Sequence, residues 1–199
     1  MSMIACVLLL AAACAPSTQF DSEWYDPASE IKPVERVLVI GISDTVSSRR
    51  QMETLMARAL KAQGVDADAA FTIMQGTARP TRETLEKTFA EGGYDSAIVT
   101  HFKGAERTET YHPASVNSIP AYYHGLYGYY SYVFNYVHST GYYTQQEDVF
   151  LETSLYDASS GEARWLVHSK SSDPKSASQL IEDVATGVIA RLKVAGFIR

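Results

Sequence analysis

Val34-Glu35-Arg36-Val37-Leu38-Val39-Ile40-Gly41-Ile42 decides the reading of the fold. Its centre, Val37 to Ile40, is an unbroken apolar run rich in β-branched side chains. A strand with one wet face would alternate polar and apolar residues. A run without alternation predicts a strand covered on both faces. Gly41 and Asp44 close it, and Ser48-x-x-Gln51 then has the form of a capping box. Met52, Leu55, Met56, Ala59 and Leu60 recur at helical spacing and share one face. Gly64 is the stop. Strand, amphipathic helix and glycine stop make the first half of an α/β unit.

Working outward, Val65 to Phe71 reads as a second, weaker strand. Thr81 to Glu91 reads as a helix with Leu85 and Phe89 inward and Gly92-Gly93 as its stop. Tyr94 to Phe102, around Ala97-Ile98-Val99, is a third strand that runs on exposed through Thr110. Further along, Val149, Leu151, Thr153 and Leu155 alternate with Phe150, Glu152, Ser154 and Tyr156. Asp157 to Gly161 is a turn, and Ala163 to Ser169 returns with Trp165 and Val167, so this stretch is a hairpin. Ser176-x-x-Gln179 caps a last helix carrying Ile181, Val184, Val188 and Leu192 on one face and ending at Gly196. The order β-α-β-α-β, an insertion, then β-β-α implies an α/β (α+β) fold. One mixed sheet carries helices packed on it, as a single domain over 34–199.

The N-terminus carries a different signal. Met3 to Ala15 is uncharged, small and apolar, and at 13 residues it is too short for a transmembrane helix, which needs ~20. It reads as the apolar region of a signal peptide. Leu10-Ala11-Ala12-Ala13-Cys14 follows the pattern of a bacterial lipobox, with small residues that admit the peptidase and a thiol that accepts the diacylglyceryl group. Two features depart from that pattern. Ala11 stands where Leu is commoner, and Met1 to Ile4 lacks Lys or Arg, which leaves open a start upstream. The competing reading is a plain secretory signal cut at Ala11-Ala12-Ala13. Under the lipobox reading residues 1–13 are removed, Cys14 carries diacylglyceryl and acyl (palmitate-type) lipid as the sole attached group, and 14–33 is a polar tether. Asp26-Pro27 and Lys32-Pro33 keep that tether extended or turned. Trp24 and Tyr25 within it are expected to dock onto the domain rather than sit in the membrane interface. Of the two cysteines, Cys6 is lost and Cys14 is lipidated, so the mature fold relies on its core rather than on disulfides. Ala15 is not the Asp associated with retention in the inner membrane, so the outer membrane is expected, with the domain on the periplasmic side.

Charge excludes some partners. Lys and Arg number 17 and Asp and Glu 23, giving a net charge of −6. With no basic cluster, neither nucleic acid nor a polybasic membrane contact is expected.

Residues 111–143 hold ten of the 13 tyrosines: Tyr111, Tyr122, Tyr123, Tyr127, Tyr129, Tyr130, Tyr132, Tyr136, Tyr142 and Tyr143. They contain no Lys, Arg, Asp or Glu. Tyrosine supplies large apolar area with a polar tip and little rotamer entropy to lose. Such a segment suits a partner surface, a sugar-stacking platform or a membrane interface. It equally suits a loop folded over its own domain. Alternation of the kind a barrel strand needs is broken at Tyr129-Tyr130 and Tyr142-Tyr143, which disfavours a pore.

No motif carries recognisable catalysis. His112, His124 and His138 lie 12 and 14 residues apart, without the close ligand pair usual in zinc sites, so no metal is expected. Ser43-Asp44 ends the first strand without a nucleophile elbow around it, and a helix cap accounts for both residues. Glu147, Asp148 and Glu152 could serve as acid and base of a glycoside hydrolase only if they share a cleft with the tyrosines. No phosphate-binding or dinucleotide glycine loop is present.

Leu151-Glu152-Thr153-Ser154-Leu155-Tyr156-Asp157, then Ser160-Gly161-Glu162, then Arg164-Trp165, resembles a hairpin of uncharacterised Gram-negative lipoproteins carrying a domain of unknown function. Ser169 to Ser178 and Ile181 to Ile198 match the Ser-rich stretch and closing helix of that pattern. The element order over 36–198 is similar to the small α/β domain of the curli-secretion lipoprotein and of the TolB N-terminal domain. The resemblance implies a fold and an envelope location, and carries no catalytic residues. The expectation is therefore a binding or assembly module. It contacts an envelope protein or glycan through Tyr122, Tyr123, Tyr127, Tyr129, Tyr130, Tyr132 and Tyr136, its oligomeric state is open, and it needs no cofactor beyond the lipid. The alternatives are an envelope glycan hydrolase and a structural component with a self-packed loop.

Overall fold

Val37, Leu38 and Val39 are 0, 0 and 1% exposed, as a strand covered on both faces requires. They lie in β2 (Arg36–Ile42), second from one edge of a six-stranded sheet. The computed structural model describes residues 18–43, 45–74, 81–112 and 142–199. In chain order the other elements are β1 (Thr18–Tyr25), α1 (Val46–Lys61), β3 (Asp66–Ala69) and α2 (Ala70–Ile73). After them come α3 (Arg82–Gly92), β4 (Ser96–His112), β5 (Tyr142–Asp157), β6 (Ala163–Ser172) and α4 (Ala177–Val194). The strand order is β1-β6-β5-β4-β2-β3. β2 pairs parallel with β3 and β4, and the remaining pairs are antiparallel, so the sheet is mixed as expected.

One face of the sheet packs on α1 and α4. Ile98, Leu151, Leu155, Trp165 and Val167 meet Met56, Leu60, Val184, Val188 and Leu192 there. On the other face α3 contributes Leu85 and Phe89 to a small cluster with Leu38 and Tyr94. Glu53 of α1 is fully buried: its carboxylate accepts from the Gly41 N–H at 3.1 Å and the Phe71 N–H at 2.6 Å, and it pairs with Arg49. This carboxylate ties the first helix to the ends of β2 and β3 by satisfying two otherwise buried donors.

Four expectations need correction. The stretch taken as a tether is largely part of the domain. Thr18–Tyr25 pairs with β6 from Thr18↔Ser171 to Tyr25↔Trp165. The ring of Phe20 packs where Gly187 leaves room on α4: a Cβ there would lie 2.1 Å from the ring, and Arg191 sits 4.0 Å over it. Trp165, 0% exposed, donates its indole N–H to Glu23 at 2.6 Å. Arg164 then donates to the Glu30 and Lys32 carbonyls, pinning the connection to β2. Trp24 pairs with Leu166 in the ladder and remains 47% exposed. Second, the cap of α1 is Thr45, whose side chain accepts from the Ser48 N–H, while Gln51 reaches across to Ser178. Third, the strand over 65–71 stops at Ala69 because the Phe71 N–H turns to Glu53 and a short helix begins. Fourth, β4 and β5 run past the sheet into the insertion itself, so Tyr111, His112, Tyr142 and Tyr143 are strand residues.

Candidate functional site

The extra length of β4 and β5 makes the main feature of the molecule. The last rung that β5 shares with β6 is Asp148↔Ser172. Beyond it, in the six rungs from Arg107↔Glu147 to His112↔Tyr142, β4 and β5 pair with each other and with no other strand among the described residues. At ~3.3 Å per residue this two-stranded ribbon projects about 20 Å from the sheet. Its exit is clamped. Asp173, in a left-handed conformation with φ of 49°, donates its N–H to the Glu147 carbonyl at 2.8 Å and accepts the Glu147 N–H at 2.7 Å. Asp148 pairs with Lys170 at 2.8 Å and accepts from Ser172 and Gln146. Those hydrogen bonds, led by Lys170, pull its carboxyl down to about 2.

Along the ribbon the chemistry changes with distance. The base carries Glu106, Arg107 paired to Glu147 at 3.2 Å, and Glu109 held by Gln145. From Thr110 outward the charges stop. Tyr111 and Tyr143 face each other across the ladder with ring centroids 4.9 Å apart, and are 53 and 67% exposed. The ribbon leads directly into the Tyr-rich segment. Tyr122, Tyr123, Tyr127, Tyr129, Tyr130, Tyr132 and Tyr136 lie outside the described residues, as do Cys14, Asp44, His124 and His138.

A second cluster lies on the face of the sheet opposite α1 and α4. His101, Glu152 and His168 form one row across β4, β5 and β6. His168 Nε2 is 2.6 Å from Glu152 Oε2, and Ser22 Oγ is 2.5 Å from His168 Nδ1. Lys103 Nζ is 3.2 Å from the same Glu152 oxygen. Ser22 reaches this row because β1 bulges between Phe20 and Glu23, which re-aims the side chain. The sequence reading missed His101, Lys103, His168 and Ser22. His168 follows from the register of the β5–β6 hairpin, His101 and Lys103 join only through the pairing of β4 with β5 across the insertion, and the bulge that brings in Ser22 leaves no sequence signal.

A hydroxyl, an imidazole and a carboxylate in line have the order of a nucleophilic relay. Here Lys103 competes with the imidazole for the carboxylate. Burial pushes the Glu152 carboxyl up, but the hydrogen bonds from His168 and Lys103 outweigh it and hold it below the ordinary value. The carboxylates weighed as a glycosidase pair do not meet. Asp148 and Glu152 lie four residues apart on one strand, ~13 Å, against the ~5–9.5 Å that hydrolysis of a glycosidic bond uses. Glu147 alternates to the opposite face and pairs with Arg107. Ser43 accepts from the Thr45 N–H at 3.5 Å, next to the α1 cap. Among the described residues no group of His, Cys, Asp and Glu is arranged to hold a metal ion.

A third feature is an apolar cleft of about 570 Å³ between α3 and the sheet, lined by Ile40, Leu85, Phe89, Ala97, Val99 and Tyr156. It follows from the loose seating of α3, none of whose residues is buried.

No family model and no curated protein matches the sequence. The hairpin's likeness to lipoproteins therefore stays a likeness of pattern. Among solved structures, the PelC dodecamer from Paraburkholderia phytofirmans is similar at 14% identity and a TM-score of 0.45, over 92% of this chain and 99% of that one. The lipoprotein GNA1162 from Neisseria meningitidis is similar at 15% identity and a TM-score of 0.44, over 80% of this chain and 99% of that one. At these values the likeness says nothing about what this chain does.

Proposed function

We propose that the protein is a lipoprotein of the outer membrane, acylated at Cys14 and facing the periplasm, that acts as a binding or assembly module. Its contact surface is the Tyr-rich insertion, with Tyr122, Tyr123, Tyr127, Tyr129, Tyr130, Tyr132 and Tyr136 as contact residues. The α/β domain is the rigid support. The observation that carries this reading is the ribbon, which holds an exposed tyrosine pair about 16 Å clear of the sheet at the root of an uncharged aromatic segment. A loop built to cover its own domain gains nothing from a clamped stalk that carries its root away from the core.

The test places a photo-crosslinking residue at Tyr127 or Tyr132 in intact envelopes. Adducts to lipid, glycan or another protein are expected. Adducts only within the chain would sink the reading and leave a self-packed structural component. Cys14→Ser is expected to move the protein from the membrane to the soluble fraction.

The rival reading is an envelope hydrolase, favoured by the line Ser22, His168, Glu152. It would require turnover of an ester or glycan that Ser22→Ala and Glu152→Gln both abolish. The lowered carboxyl of Glu152 suits an ion-paired sheet face better than a general acid.

A further inference from the structure

β1 begins at the end of the sheet from which the ribbon leaves. Thr18, Ser171, Val149 and Ala105 lie on one row across β1, β6, β5 and β4. β1 runs antiparallel to β4, so Thr18, the first residue of β1, stands at the end of the sheet toward which β4 advances to Tyr111. Residues 15–17 alone separate Cys14 from Thr18. Fully extended at ~3.6 Å per residue, they let Cys14 reach at most about 14 Å beyond that row. Tyr111, six residues past Ala105 on the same strand, reaches about 20 Å beyond it. Lateral separation between β1 and β4 is three strand spacings, again ~14 Å.

A lipid on Cys14 fixes that residue at the headgroup plane. With the strands upright on that plane, the tether is too short to hold the ribbon clear of it. The ribbon's charge pattern fits the same boundary. Glu106, Arg107, Glu109 and Glu147 lie on the stalk, and the end from Thr110 and Thr144 outward is uncharged and aromatic. Tyrosine is the side chain that rests at headgroup depth, with its ring toward the acyl chains and its hydroxyl in water. Acidic stalk residues oppose an electrostatic landing on anionic lipid.

We infer that the tip of the ribbon, at Thr110, Tyr111, Tyr143 and Thr144, docks on the surface of the bilayer that holds the Cys14 lipid. The partner of the proposed contact surface is in the first instance that lipid surface, and the inference rests on acylation of Cys14. The anchor and the tip are two points of attachment, so the sheet stands on the membrane with the β5–β6 turn pointing away.

The test uses the full lipidated protein in vesicles of phosphatidylethanolamine and phosphatidylglycerol. The mature chain has no other thiol, so Thr110→Cys and, at the opposite end of the sheet, Glu162→Cys each take a single environment-sensitive fluorophore. Spin-labelled lipid is the quencher. The expected result is that the protein floats with the vesicles and that the label at 110 is quenched several-fold more than the label at 162, in low and in molar salt alike. Tyr143→Asp is expected to reduce the quenching at 110. Equal quenching at the two sites in floating protein would overturn the inference and leave the anchor standing. So would quenching at 110 that ignores Tyr143→Asp. Protein that fails to float removes the anchor, and the inference falls with it. If the label at 110 is unquenched by lipid but shielded from aqueous iodide only in native envelopes, a protein covers the tip instead, and the inference is wrong.

Discussion

β4 and β5 pass through two environments along one length. Between Ser96 and His101, β4 is flanked by β2 and β5. There Ile98 is fully buried beneath the helices, with Leu151 and Leu155 of β5. Between Arg107 and His112 the same strand has β5 as its one neighbour among the described residues, and its described side chains are exposed. The backbone ladder is unbroken from one end to the other, apart from the bulge at Phe102/Gly104. The β4–β5 ladder therefore does not distinguish the two ends. Covering helices do, and the sequence follows them: aliphatic residues where α1 and α4 lie, then charge, then tyrosine. An isolated two-stranded ribbon is marginal in water, so its persistence depends on the clamp at Asp173 and Asp148 and on whatever its tip meets.

The comparison can be broken by substitution, and the ends should respond unequally. Leu155→Ala, at the helix-backed end, is expected to cost about 3 kcal/mol in urea unfolding, through lost burial and the cavity left behind. A cost under a third of that would mean the core is not seated as described. Gly187→Val is expected to cost about 2 kcal/mol, because its side chain enters the space of the Phe20 ring. Limited proteolysis should then cut between residues 18 and 33, while the rest of the sheet resists. If cleavage there is unchanged, β1 is not held by that contact.

At the junction, Asp148 has a folded carboxyl at about 2, below its ordinary 3.8. A lowered acid adds stability above its unfolded value and loses it as pH falls from about 4 toward 2. Asp148→Asn should therefore melt with a shallower dependence on pH in that window. Asp157, held down chiefly by the Ser159 hydrogen bond, keeps part of the slope. An identical pH profile in the variant would contradict the pairing with Lys170. Smallest of all, Tyr111→Ala is expected to change unfolding by about 0.5 kcal/mol or less, as for other exposed positions. A core-sized effect would mean that the ribbon end is packed after all.

How far the sequence could be read depended on how local the physics was. The run at Val37 to Ile40, the spacing of Met52 to Leu60, the cap at Ser176 and the turn at Asp157 all act within a few residues, and each fell where its pattern put it. The row His101, Glu152, His168 was half legible, since the hairpin sets the pairing of the last two. What the sequence hid was nonlocal. Polar Thr18–Tyr25 looks like a linker, and it is a strand because Ser169, Val167 and Trp165 offer a free edge and Gly187 leaves a hole for Phe20.

By itself, then, the sequence determined the alternation of strands and helices, the apolar faces and the uncharged tyrosine segment, because periodicity and turn chemistry are properties of neighbouring residues. Only the tertiary structure decided that β1 forms the edge of the sheet, that Glu53 is buried against Gly41 and Phe71, and that β1 begins at the end from which the ribbon leaves. Those depend on which distant edges and donors were left to satisfy, and no local pattern records them.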